Sequence, residues 1–178
     1  EHISNTPKQI LIQEALGFPR PAYAHLPLIL GTDRSKLSKR HGAFSVMEYR
    51  RAGYLPEALV NFMALLGWNP GTDREIFSLA ELVEAFDVKQ VQKSGAVFNI
   101  EKLDWLNGEY IRKKSVEELT ELLMPFFPSE AAKKDRAYLE KITALEQPRL
   151  KKLSEISDGA GYFFKEPDYG SGLLFWKG

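Results

Sequence analysis

The stretch Ser35-Lys36-Leu37-Ser38-Lys39-Arg40-His41-Gly42 decides how this chain is interpreted. It follows the apolar run His25–Gly31, which predicts a short buried strand that leads into a loop. Four cations lie within seven residues of this region: Arg34, Lys36, Lys39 and Arg40. Lysine suits a phosphate as a mobile point charge, and arginine adds a planar fork of donors. The pattern therefore indicates a loop that receives an anion, and a solvated basic turn is the alternative.

Composition narrows the function classes. The chain has 178 residues, of which 44% are hydrophobic and 27% are charged, as in one large or two small folded domains. Its formal net charge is zero, so affinity for RNA would have to come from local patches. It contains no cysteine, which excludes disulfides and thiolate zinc sites in these residues. No run approaches about 18 apolar residues, so the sequence predicts no membrane-spanning helix.

Local signals predict a series of helices. Three serine-to-glutamate capping boxes mark helix starts, at Ser45/Glu48, Ser78/Glu81 and Ser115/Glu118. Asn5-Thr6-Pro7 predicts an earlier start, with Asn5 as the capping side chain and Gly17 as the end. Apolar spacing predicts further helices from Leu55, from Asn99, over about residues 130–146, and from Pro148 onward. A short extended piece is expected at 96–99.

Several segments carry a resemblance to a known family. Lys36-Leu37-Ser38-Lys39-Arg40 resembles the second ATP-binding motif of class I aminoacyl-tRNA synthetases, usually written KMSKS. Together with the preceding His-Leu-Pro-Leu-Ile-Leu-Gly, it is similar to the bacterial glutamyl-tRNA synthetases. Other similar segments follow in the same order as in that family: Glu1–Pro7, Gly53–Leu59, Leu65–Trp68 and Lys102–Asn107, then more thinly Pro148–Leu150 and Gly161–Phe164.

The resemblance implies a mainly α fold. Residues 1–113 would hold the end of a nucleotide-binding fold and a stem-contact-type helical domain with a short residual strand. Residues 114–178 would form a small α-helical bundle, the first part of a helical anticodon-binding domain. Because the chain opens inside a recognisable motif, we expect it to be a fragment of a longer enzyme.

The resemblance also implies roles for individual residues. Lys39 and then Lys36 would hold the phosphates of ATP as catalytic groups, with Ser38 and Arg40 in support. The main chain at Ile29 and Leu30 would face the adenine. Further roles are implied for Glu1 in the nucleotide and amino-acid pocket, and for Arg149 and Lys93 in contact with tRNA.

The implied activity is the attachment of glutamate to tRNA(Glu) through a glutamyl-adenylate made from ATP. ATP, L-glutamate and tRNA(Glu) would be the partners and Mg²⁺ would accompany ATP, with no zinc or other metal site in this segment. The parent enzyme is expected to be a cytoplasmic monomer. Both tRNA(Glu) alone and tRNA(Glu) together with tRNA(Gln) fit the residues present.

The chain departs from that family in one respect. The other class I motif, an H-I-G-H-like sequence, is absent from the 178 residues. We therefore expect the chain by itself to be inactive, although it would contact tRNA. One alternative is a non-catalytic RNA-binding module with a synthetase-like body. Another is a shortened paralogue that glutamylates a modified tRNA nucleoside, which the helical segment after residue 115 argues against.

Overall fold

A computed structural model describes residues 2–38 and 45–166 of the chain. Within these ranges the fold is mainly α, as predicted. The helices are α1 Thr6–Ala15, α2 Val46–Arg51, α3 Pro56–Leu65, α4 Leu79–Ala85, α5 Ile100–Arg112, α6 Val116–Leu123, α7 Arg136–Glu146 and α8 Ile156–Gly159. The strands are β1 Ile29–Leu30 and β2 Ala96–Val97. Short 3-10 turns occupy Val88–Gln90, Ser129–Lys133, Leu153–Glu155 and Gly161–Phe163.

The chain divides into two compact units. The first unit consists of Glu1–Ala43 and Val60–Ile100, and the second of Phe44–Leu59 and Glu101–Gly178. Each unit is therefore built from two separate stretches of sequence. In the ranges 2–38 and 45–166 no helix is long and apolar enough to cross a membrane.

The three predicted capping boxes are confirmed. In each, the serine hydroxyl accepts from the backbone N–H of the glutamate, and the glutamate carboxylate accepts from the backbone N–H of the serine. At Ser78 the two distances are 3.3 and 2.7 Å. These reciprocal bonds satisfy backbone donors that the first turn of a helix leaves unpaired, which explains why α2, α4 and α6 begin where they do.

The start of α1 is confirmed, but its predicted cap is wrong. Asn5 makes no capping hydrogen bond through its side chain, because its own backbone is already near the helical region, with φ −90° and ψ −28°. Instead the hydroxyl of Thr6 donates to the carbonyl of His2 at 3.0 Å. The helix ends as expected before Gly17, whose φ of +71° suits glycine.

The predicted strand at 25–31 is shorter than expected and is not buried. Only Ile29 and Leu30 form β1, which pairs in parallel with β2 in the register Ile29 to Ala96 and Leu30 to Val97. Leu28 and Ile29 remain 38% and 41% exposed. An apolar run in a sequence indicates that its side chains favour burial, but they are buried only if another element packs over them. A pairing of two residues with β2 does not cover the side chains of Leu28 and Ile29.

Two helix predictions in the second half are also corrected. The helix expected at about 130–146 begins only at Arg136, because the carboxylate of Asp135 caps it by accepting from Tyr138 N at 2.7 Å. The helix expected from Pro148 does not form there. The backbone N–H groups of Lys151 and Lys152 donate to Glu155 at 2.8 and 3.2 Å, so they are not available for helical bonds.

The core of the second unit is a packed helical bundle. Its fully buried side chains lie at helical spacing on α5 and α6 and on the segment that follows α7: Leu103, Leu106, Ile111, Leu119, Leu123 and Ile156. Between α6 and α7, the hydroxyl of Thr120 lies 2.9 Å from that of Thr143. Gln147 donates to the carbonyls of Ile111 and Lys114, both at 2.9 Å, and so closes the end of α5.

The first unit has a smaller core. Trp68, Phe77 and Leu82 form a buried cluster against which Leu65 and Val91 pack. The side chain of Asn61 on α3 is also fully buried. Its amide donates to the carbonyl of Glu75 at 3.0 Å and its oxygen accepts from Phe77 N at 2.7 Å. This amide fixes the loop that leads into α4.

Candidate nucleotide-binding site

The basic stretch begins in a tight turn that folds back onto β1. Lys36 forms an antiparallel bridge with Leu30. Two backbone bonds of 2.9 Å flank the bridge, from Gly31 N to the carbonyl of Ser35 and from Leu37 N to the carbonyl of Ile29. The backbone of Lys36 is therefore fixed directly beside the strand, while the residue itself remains exposed.

The turn is held by its own side chains. The Asp33 carboxylate accepts from both the backbone N–H and the hydroxyl of Ser35, each at 2.9 Å. Between them Arg34 has a φ of +63°, a left-handed conformation that is uncommon for a residue other than glycine. Strain of this kind is worth of order 1–3 kcal/mol and is frequent at functional sites. No local sequence motif predicts this conformation at Arg34.

The other side of β1 is occupied by β2. Ala96 N donates to the carbonyl of Leu28 at 3.1 Å, and Phe98 N donates to that of Leu30 at 2.8 Å. A Cβ at Gly95 would lie 2.6 Å from the side chain of Leu30 and 3.2 Å from the carbonyl oxygen of Leu28, so a larger residue here would require Leu30 to shift. The carbonyls of Ile29 and Leu30 are thus both already bonded.

The predicted site residues fall into two groups. Lys36 and Ser38 are described, and Ser38 is half-buried. Glu1, Lys39 and Arg40 lie outside the described residues. Lys93 is exposed and lies just before β2 in the same unit as Lys36. Among the described residues, no three His, Asp or Glu side chains gather where they could hold a metal ion.

The predicted tRNA-contacting arginine lies in the second unit. The side chain of Arg149 is 75% exposed, and its Nη1 lies 3.5 Å from the carboxylate of Glu146, which is almost fully buried. The hydroxyl of Tyr162 donates to the same carboxylate at 3.3 Å. The guanidinium of Arg149 is therefore exposed to solvent, while its Nη1 lies close to the buried carboxylate of Glu146 at the end of α7.

Comparison with known proteins places these features in a family. The profile of the catalytic domain of class I tRNA synthetases, of the group for glutamate and glutamine, matches residues 1–105. The chain belongs to this family. An anticodon-binding-domain profile matches residues 118–174. The catalytic-domain match includes the whole basic stretch and both strands.

Individual relatives agree with the family assignment. The chain is 51% identical over 172 residues to a glutamate–tRNA ligase of Desulforamulus reducens, covering 93% of this chain and 36% of the relative. It is 54% identical over 167 residues to a glutamate–tRNA ligase of Aquifex aeolicus, covering 92% and 35%. The chain thus spans about a third of the length of these relatives.

Solved structures show the same similarity in three dimensions. A glutamate–tRNA synthetase from Elizabethkingia anophelis matches with a TM-score of 0.81 at 30% identity, over 97% of this chain and 39% of that one. A glutamate tRNA ligase from Elizabethkingia meningosepticum, solved in complex with its amino acid, matches with a TM-score of 0.78 at 31% identity, over 94% and 37%.

Proposed function

We propose that this chain is part of a glutamate–tRNA ligase, in which it supplies one wall of the ATP site and the start of the anticodon-binding region. The observation that carries the proposal is the order of the two matched regions. A catalytic-domain match that contains the basic stretch is followed in the same chain by an anticodon-domain match. Relatives of about 50% identity that carry the glutamate ligase name support the choice of amino acid.

The finer domain description belongs to the same proposal. Residues 1–113 would be the end of the nucleotide-binding fold with a stem-contact-type helical domain, and residues 114–178 the first part of the helical anticodon-binding domain. The ends of the two matched regions, at residues 105 and 118, support a boundary near 113.

The basic stretch would act on the triphosphate of ATP. Attack of the glutamate carboxylate on the α-phosphorus releases pyrophosphate, so negative charge develops on the leaving phosphates. Catalysis of this kind depends on positioning and on electrostatic stabilisation of that charge. Lys39 would contact these phosphates first and Lys36 second, with Ser38 and Arg40 in support, and Mg²⁺ would enter with ATP as part of the substrate. The bridge between Lys36 and Leu30 supports this role, because it fixes the start of the loop beside the strand.

The remaining assignments are proposed with it. The main chain at Ile29 and Leu30 would face the adenine, and Glu1 would lie in the nucleotide and amino-acid pocket. Arg149 and Lys93 would contact tRNA(Glu). The exposure of both cations supports this part of the proposal. The whole enzyme would be a cytoplasmic monomer that uses L-glutamate and ATP.

The test is steady-state charging of tRNA(Glu) by the full-length synthetase with Lys39→Ala. We expect kcat to fall by about 10²–10³-fold, the usual cost of removing one group that stabilises transition-state charge. Lys141→Ala, at an exposed lysine on α7, is the matched control and should leave kcat unchanged. A Lys39→Ala enzyme that charges tRNA at the normal rate would contradict the proposed role of the basic stretch. A full-length protein that binds tRNA(Glu) but does not charge it, even with Lys39 present, would instead support a non-catalytic RNA-binding module.

The isolated 178-residue chain gives a second test. It lacks the H-I-G-H-like motif, so we propose that it catalyses no ATP–pyrophosphate exchange with glutamate and tRNA(Glu) present. Exchange by this chain above the background without enzyme would contradict that proposal.

A further inference from the structure

One connection in the second unit joins the helix after the basic stretch to the segment that carries Arg149. We name it the Gly53 junction, and it consists of Ala52–Leu55, Asn107 and Lys151–Ser154. Leu153 N donates to the carbonyl of Gly53 at 3.0 Å, and the hydroxyl of Ser154 donates to that of Ala52 at 2.8 Å. These bonds join residues about a hundred positions apart in the sequence.

The contact at Gly53 is possible only for glycine. Its φ is +87°, and a Cβ at this position would lie 2.6 Å from Ser154 N and 2.7 Å from Leu153 N. Both obstacles are backbone atoms, which cannot move aside as a side chain can. The two segments are therefore in direct main-chain contact, and their separation is closely fixed.

A buried amide holds both segments at once. Asn107 on α5 is fully buried. Its oxygen accepts from Leu55 N at 2.8 Å, and its nitrogen donates to the carbonyls of Lys151 at 2.6 Å and Gly53 at 3.4 Å. Because a buried backbone group without a partner is costly, each of these bonds restrains the position of its segment.

Asp104, one helical turn before Asn107 on α5, makes a second set of contacts between the two segments. The hydroxyl of Tyr54 donates to the carboxylate of Asp104, which also lies 3.4 Å from the ammonium of Lys152. Burial, and then the hydrogen bond to Asp104, raise the pKa of Tyr54 well above its usual value. The hydroxyl therefore remains protonated, and remains a donor, to a higher pH than that of an ordinary tyrosine.

The location of the junction in the chain indicates a role in addition to stabilising the fold. Helix α2 starts at Val46, four positions after Gly42 in the sequence, and ends at Arg51, just before the junction. Arg149 lies two residues before Lys151, in the other segment of the junction. We propose that the Gly53 junction fixes α2 relative to the segment that carries Arg149, and that Asn107 and Ser154 are positioning residues for adenylate formation because α2 follows the basic stretch in the sequence. This inference rests on the proposed function of the loop.

The test uses Ser154→Ala in the full-length synthetase, because this change removes one hydrogen bond without steric conflict. We expect kcat for charging to fall by roughly three- to tenfold, the loss expected when about one hydrogen bond of restraint is removed, with KM for tRNA unchanged. Ser154→Thr keeps the hydroxyl and should restore kcat. Ser129→Ala, at an exposed serine whose hydroxyl donates to the neighbouring Glu130, is the matched control.

A double-mutant cycle separates positioning from general stability. In the Lys39→Ala background, Ser154→Ala should cause no further loss of kcat if the junction acts through the loop. An equal fractional loss in both backgrounds would overturn the inference, and so would a lower unfolding temperature with an unchanged kcat.

Hydrogen exchange tests the junction independently of catalysis. In Ser154→Ala the amides of Ala52 and Gly53, at the end of α2, should exchange at least threefold faster than in the wild type, and Ser129→Ala should not change them. Unchanged exchange would overturn the inference. If Lys39→Ala leaves charging intact, the proposed loop function fails, and the exchange result still decides whether the junction restrains α2.

Discussion

The two units differ in how they use their apolar side chains. In the second unit Leu106 and Leu119 are completely buried, whereas in the first unit Leu11 on α1 is 65% exposed and Phe18 just after it is 61% exposed. Both units contain apolar residues at helical spacing. The difference teaches that apolar spacing identifies a helix face, while a core exists only where another element covers that face.

The largest expected effect is a loss of stability when a leucine is shortened in the second unit but not in the first. Leu119→Ala should lower the free energy of unfolding by about 3–5 kcal/mol, because it leaves a cavity in a closed bundle. Leu11→Ala, the same change on α1, should cost less than about 0.5 kcal/mol at its exposed position. Urea unfolding followed by circular dichroism measures both values. Similar losses at the two sites would show that α1 is covered in solution.

The next largest effect is the loss of stability when either of two fully buried asparagines, one in each unit, is replaced by alanine. Asn107 bonds Leu55 N and the carbonyls of Gly53 and Lys151, and the bonds of Asn61 include those with Phe77 N and the carbonyl of Glu75. Since each buried group left without a partner costs about 1–3 kcal/mol, both alanine variants should be destabilised by at least about 2 kcal/mol. Equilibrium unfolding measures both losses. A loss below about 1 kcal/mol for either variant would mean that the backbone around that asparagine relaxes when the amide is missing.

A smaller effect should be equal in the two units. Ser78→Ala and Ser115→Ala each remove the hydroxyl of a capping box, on α4 and α6 respectively. The interaction is local, so each variant should lose about 1 kcal/mol whatever surrounds it. Thermal unfolding of both variants checks this. A loss more than twice as large in one unit would show that the cap there also supports tertiary packing.

The smallest effect concerns pH. The guanidinium of Arg74, and then the backbone bond from Ser78, lower the pKa of Glu81 from 4.5 to about 2. A carboxyl whose pKa is lower in the folded state stabilises the fold above its unfolded pKa and loses that contribution as pH falls. Glu81→Gln should therefore reduce the loss of stability between pH 4.5 and 2. Glu84→Gln, at an exposed position of the same helix, is the matched control. Identical pH profiles for Glu81→Gln and the wild type would contradict the prediction.

Sequence reasoning succeeded where the signal is local. The capping boxes at Ser45, Ser78 and Ser115 lie within four residues each, and a glutamate three positions after a serine is sufficient to define them. One of its failures has distant partners among its causes, in addition to the local bonds to Glu155. The expected helix from Pro148 is replaced by an irregular segment, because Leu153 bonds to Gly53 and Lys151 to Asn107.

The candidate site follows the same division. The basic stretch could be read from a few consecutive residues, and the family resemblance from several segments that follow in the same order as in the family. The bridge between Lys36 and Leu30, the left-handed Arg34 and the contact of Gly95 with Leu30 depend on backbone pairing that no local pattern specifies. The buried Asn107 has no sequence signature either, since its three partners lie 44 to 54 residues away.

The most direct test of the central claim is the single-turnover rate of glutamyl-adenylate formation by the full-length synthetase, with and without Lys39→Ala. If the basic stretch stabilises charge on the leaving pyrophosphate, the variant should form the adenylate about 10²–10³-fold more slowly, even when ATP is saturating. Adenylate formation at the wild-type rate would contradict the account.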